Sequence, residues 1–134
     1  MRKSILIIED SKAMNYVLTT VFRKDFDVFT ARNYAEAFYQ LRSKDMADLV
    51  IMNIPDDKSE NYMFLAHLSS SSLFYDIPVV VLSDSKDSLL SNKIKALGAS
   101  LFLNTPFDPV RLSEKVKELI VKTESRQFMK VTQG

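Results

Sequence analysis

Five times along this chain a short apolar run gives way to a stretch whose apolar residues recur at helical spacing. That alternation constrains the fold more than any single motif. Four runs, "SILII" (Ser4 to Ile8), "DLVIM" (Asp48 to Met52), "PVVVL" (Pro78 to Leu82) and "SLFL" (Ser100 to Leu103), are continuously apolar rather than alternating. Continuous runs suit parallel strands covered on both faces. A fifth, "DFDVFTA" (Asp25 to Ala31), alternates, as a half-exposed edge strand does.

The intervening stretches read as helices. Met14, Val17, Leu18, Val21 and Phe22 fall on one stripe. Asn33, with Glu36 three residues on, has the spacing of an N-cap, and Ala37, Phe38 and Leu41 continue an apolar face. A weaker pattern runs from Asn61 through Leu68 into "SSSS" (Ser69 to Ser72), read as a loop. Leu89, Leu90, Ile94 and Leu97 form a fourth, with Gly98 placed as its left-handed stop. The fifth begins at the Asp108-Pro109 cap and carries Leu112, Val116, Leu119 and Ile120 inward. Strand then helix, five times over, predicts a parallel α/β sheet between two helical layers. Residues 1–121 are expected to form the domain and 122–134 a frayed tail.

Composition removes several classes of function. The 134 residues, 46% hydrophobic, suffice for one core, and 18 basic against 17 acidic residues leave a formal charge of +1. No global field favours nucleic acid or an anionic membrane. Without cysteine there is no disulfide, thiolate nucleophile or Cys-based metal site. The apolar run after Met1 to Ser4 ends at Glu9, too soon for a signal sequence or membrane span, so a cytoplasmic protein is expected. With Gly98 and Gly134 the only glycines, no glycine-rich loop can cradle a nucleotide phosphate.

Sites in open α/β sheets gather beyond the carboxyl ends of the strands. Those ends carry Glu9-Asp10-Ser11, Asn53, Ser83-Asp84 and Asn104-Thr105-Pro106-Phe107. In order and spacing they resemble the receiver domain of bacterial two-component response regulators, over about Lys3 to Val121. The resemblance implies a flavodoxin-like (βα)5 sheet of strand order 2-1-3-4-5. "ILIIEDS" resembles the first strand with its metal-binding acid pair, mapping to Glu9 and Asp10. "DLVIMN" resembles the third strand, whose phosphate-accepting Asp is here Asn53. "PVVVLSDS" and "GASLFLNTPFDP" place the switch residues at Ser83 and Phe102, and the family's Lys before Pro at Thr105.

The departures carry chemical meaning. Acyl phosphate formation needs an ionised carboxylate attacking in line, with a divalent cation and an ammonium neutralising the oxygens. Asn53 lacks the anionic nucleophile and Thr105 lacks the ammonium. Losing one member of a buried pair costs about 3–5 kcal/mol, whereas neutralising both is close to neutral. The two changes therefore belong together. The resemblance leaves room for a weak Mg²⁺ site at Glu9, Asp10 and the carbonyl of Pro55, with no cofactor required. Without a cation the two acids repel, one of them titrates high, and Asn53 settles them by donating its amide hydrogens. Asn61 stands where family members carry Gly, which suggests positive φ.

Each residue also has a plainer reading. Glu9 and Asp10 suit a helix start, Ser83 suits a cap for the fourth helix, Phe102 suits a half-buried aromatic, and the single His67 suits a solvated helix face. The sequence thus predicts a non-enzymatic pseudo-receiver that signals by protein contact, its partner a histidine kinase or downstream signalling protein. The resemblance puts that contact on the fourth helix, fifth strand and fifth helix, with Lys93, Lys95, Arg111 and Lys115 as a basic rim. Two alternatives stay open: a phospho-receiver accepting at Asp56, Asp57 or Asp10, and a small-ligand domain using the acidic mouth.

Overall fold

The computed structural model describes residues 2–43 and 47–133. The elements run β1 (Ser4–Ile8), α1 (Lys12–Phe22), β2 (Asp27–Ala31), α2 (Tyr34–Ser43), β3 (Leu49–Asn53), α3 (Glu60–Ser70), β4 (Val79–Ser83), α4 (Ser88–Ala96), β5 (Leu101–Asn104) and α5 (Pro109–Gln133). All pairings are parallel and the strand order is β2-β1-β3-β4-β5. The fold is the expected flavodoxin-like one.

Side-chain alternation along each central strand explains why the runs are apolar throughout. Ile5, Ile7, Leu49, Ile51, Val80 and Leu82 face α1 and α5, meeting Leu18, Phe22, Leu112, Val116 and Ile120. Leu6, Ile8, Val50, Met52, Val79 and Val81 face the other way, onto Ala37, Leu41, Phe64, Leu65, Leu68, Leu90 and Ile94 of α2, α3 and α4. With a helical layer on each side, neither strand face has water to satisfy a polar residue. β2 is one of the two edge strands, and of its residues only Ala31 is buried.

Local chemistry sets the helix ends. Asn33 Oδ1 accepts from the Glu36 backbone N–H at 3.0 Å, the anticipated cap; Glu36 reaches back to the N–H of Arg32 at 2.9 Å, one residue earlier than a standard capping box. Asp108 accepts from Val110 N–H at 3.0 Å. Gly98 has φ +108°, with its N–H bonded to the Lys95 carbonyl and that of Ala99 to the Ile94 carbonyl, the paired bonds of a Schellman stop.

Four expectations need correction. The tail expected over 122–134 is helical where it is described, since α5 continues through Gln133. Its polar turns are held by contacts that an apolar periodicity does not register: buried Thr123 donates to the Leu119 carbonyl at 2.9 Å, Glu124 meets Lys3 at 3.3 Å, and Lys130 meets Asp76 at 3.4 Å. "SSSS" is not wholly loop, because Ser69 and Ser70 complete α3, each hydroxyl donating to the carbonyl four residues back. Ser83 does not cap α4; Asp87 does, accepting from Leu89 N–H at 2.9 Å. Asn61 does not adopt positive φ but lies in the first turn of α3.

Candidate functional site

The strand order brings the ends of β1 and β3 side by side, with β4 next along, so that Glu9, Asp10, Asn53 and Asp84 open onto one cleft of about 430 Å³. Pro55, Ser59, Glu60 and Asn61 close it from the β3–α3 side, and Arg32 and Asn33 from the β2–α2 side. The expected acid pair, the acceptor-equivalent Asn53 and the carbonyl-bearing Pro55 therefore come together.

Glu9 is the buried member, 7% exposed, while Asp10 faces solvent. Its Oε1 accepts from the Ser11 N–H at 3.2 Å, and Asn15 Nδ2 donates to its backbone carbonyl at 3.3 Å. Ser11 is itself the N-cap of α1, accepting from Met14 N–H at 3.3 Å. Glu9 is thus both a helix-start acid and a cleft residue. Burial pushes its carboxyl above the usual range, the Ser11 N–H pulls it back, the charge of Asp10 raises it further, and the neighbouring Asn53 amide lowers it slightly. The expected upward shift is present, with desolvation rather than carboxylate repulsion as its main cause.

Asn53 is held through its backbone, whose carbonyl accepts from Asn61 Nδ2 at 2.8 Å, while its side chain lies in the cleft beside Glu9. Asn61, at the family's glycine position, thus ties the start of α3 to the end of β3. Asn104 does the same for β4, donating to the carbonyls of Ser83 at 3.1 Å and Ser85 at 2.6 Å.

The remaining positions lie apart from the cleft. Ser83 is fully buried, its Oγ accepting from Ser85 N–H at 3.2 Å. Phe102 is half-buried against the α2, α3 and α4 layer. Thr105 follows β5, its N–H bonded to the Ser83 carbonyl at 2.9 Å, and is not among the residues around the cleft. Asp57 accepts from Lys93 Nζ at 2.7 Å, a pair that holds the carboxyl below and the ammonium above its ordinary range. Asp56 accepts from Lys58 N–H at 2.8 Å. Lys93 is therefore engaged rather than free on the basic rim. Lys95 and Arg111 are exposed and Lys115 is half-buried.

Arg32 and Asp84 complete the electrostatics. Arg32 is the one base around the cleft among the described residues, and its guanidinium pairs with Glu36 at 3.1 Å. The signal for Arg32 was its place directly after an edge strand, an end that apolar runs do not flag. A hard cation wants several anionic oxygens. Among the described residues no three Asp, Glu, His or Cys side chains stand together as a metal cluster, and one Glu9 oxygen accepts from the Ser11 N–H.

Comparison with known proteins agrees with this geometry. The chain is 26% identical over 125 residues to hybrid signal transduction histidine kinase D of Dictyostelium discoideum, covering 93% of this chain and 8% of that protein. It is 26% identical over 123 residues to the phosphate regulon transcriptional regulatory protein PhoB of Escherichia coli, covering 90% and 52%. The chain thus spans about half the length, or less, of these relatives. Among solved structures, a receiver domain of a signal transduction histidine kinase from Syntrophus aciditrophicus superposes with TM-score 0.80 at 26% identity, covering 90% of this chain and 91% of that one. A CheY-like receiver domain protein from Methanospirillum hungatei superposes with TM-score 0.83 at 20% identity, covering 94% and 99%. The profile of the response regulator receiver domain matches residues 5–117, and the chain belongs to that family.

Proposed function

We propose that this chain is a pseudo-receiver, a non-enzymatic module of two-component signalling that acts through protein contact without aspartyl phosphorylation. The observation that carries the reading is the seat of Asn53: its amide sits at the acceptor position beside buried Glu9, with no lysine among the described residues that line the cleft. An amide there offers neither an anionic nucleophile nor a stable acyl phosphate, and the phosphoryl oxygens would meet two carboxylates without a fixed ammonium. Mg²⁺ would bind weakly, through Asp10, Glu9 and the Pro55 carbonyl. The partner face is the one formed by α4, β5 and α5, where Lys95, Arg111 and Lys115 supply positive charge. A cytoplasmic location accords with this role, and among the described residues no helix is long and apolar enough to cross a membrane.

One observation favours a second reading. The 2.7 Å contact between Lys93 and Asp57 puts an ammonium beside a carboxylate outside the cleft, two of the parts that phosphoryl acceptance requires. Treatment with acetyl phosphate and Mg²⁺, followed by intact mass, separates the two. The pseudo-receiver reading expects an unmodified mass; a hydroxylamine-labile adduct of one phosphoryl group, lost in Asp57→Ala, would establish the second in its place.

A further inference from the structure

A cavity of about 650 Å³ lies outside the cleft, in the groove between α2 and α3. Its floor is buried Phe64, and Tyr34, Phe38 and Met63 form the walls, with Met63 65% exposed. The rings are set at angles: Tyr34 and Phe38 each lie 6.4 Å from Phe64, at 44° and 68°. Glu60 stands at one end and His67 at the other, two turns of α3 apart, or about 10 Å.

The charge of this groove is polarised. Glu60 makes no ion pair among the described residues, and it also borders the acidic cleft, so that end carries excess negative charge. At the other end the ring of Phe38 already has the Arg42 guanidinium over it at 5.5 Å and His67 against it at 5.3 Å. Ring faces attract cations, and the Arg42 contact shows one of them in use. A second cation is welcome only near Glu60, away from Arg42. An apolar body then fits along Phe38, Phe64 and Met63.

We propose that the α2–α3 groove binds a small organic monocation, an ammonium carried on an aromatic or alkyl body, with its head at Glu60 and its body over Phe64. The volume falls within the range of small-molecule sites. The length, bounded by charge at both ends, is shorter than the three to four turns of an ordinary docked helix. The site is independent of whether the chain accepts phosphate.

NMR titration of the full chain with phenylbutylammonium, the neutral phenylbutanol and the anionic phenylvalerate tests this. The ammonium should shift amides of residues 34–38 and 60–67, the alcohol should bind about fivefold more weakly, and the carboxylate should not bind. Glu60→Gln should bring the ammonium down to the affinity of the alcohol and leave the alcohol unchanged. Met63→Lys, at an exposed position that folding tolerates, should abolish both. Equal affinity for ammonium and alcohol, or shifts confined to the surroundings of Glu9 and Asp10, would overturn the assignment. So would a Lys-Phe dipeptide amide binding more than about tenfold tighter than the amine, which would make the occupant a peptide.

Discussion

Replacing Asn53 by Asp asks whether the amide holds the acid pair together. Its side chain lies in the cleft beside Glu9, a carboxyl that is 7% exposed and already pushed upward by burial and by Asp10. Asn53→Asp exchanges the amide for a third carboxylate. A buried polar group left facing a like partner costs about 1–3 kcal/mol, and proton uptake by one of the crowded carboxyls limits the added repulsion, so a net loss of about 2 kcal/mol is expected. With about 2.1 cal/mol/K of unfolding entropy per residue, a chain of 134 residues should lose about 7 °C in Tm. The third carboxylate also makes a better cation site. If its Kd for Mg²⁺ is about 1 mM, 10 mM Mg²⁺ returns about 1.4 kcal/mol to the variant and less to the native chain. Thermal and urea melts at pH 7, with and without Mg²⁺, measure both quantities. A variant as stable as the native chain in the absence of Mg²⁺ would refute the assignment of Asn53 as the group that settles the acids.

Two further outcomes are expected. For Glu9→Gln the sign follows from the upward shift: the folded carboxyl favours its protonated form, a stabilisation present below the ordinary value of 4.5 and lost as pH rises through the folded value. The variant should therefore melt above the native chain at pH 7, with the gap closing below about pH 4, and a gap that does not change with pH would exclude burial as the cause. Gly98→Ala should cost at least about 2 kcal/mol, since φ +108° strains any residue with a Cβ and the new atom would stand 2.6 Å from Ser69 Oγ. Adding Ser69→Ala should recover the collision and leave the strain, visible as partial return of the urea midpoint.

How much was legible in the sequence depended on which force set each feature. The strands and the order of their ends were readable because burial on both faces demands unbroken apolar runs, as in Val79 to Leu82. Caps were readable where the side chain acts on its own neighbours, as at Asn33, Asp108 and Gly98. The same local logic failed at Ser83, because Asp87 stands nearer the first turn of α4 and competes better for it. The length of α5 was hidden because its last turns are held by polar contacts to distant residues, Lys3 and Asp76. The order of strand ends put Glu9, Asp10 and Asn53 near one another, and they line one cleft, but it did not reveal Asn61 as the clamp on Asn53, which depends on a helix-to-strand distance. Arg32 and the α2–α3 groove were likewise invisible, because they are made by packing between elements.

At Gly98 the missing Cβ is what lets the last turn of α4 settle against Ser69, the penultimate residue of α3. A side chain at position 98 would push the C-terminal end of α4 away from α3, so the spacing of these two helices at this end is set by the smallest residue available.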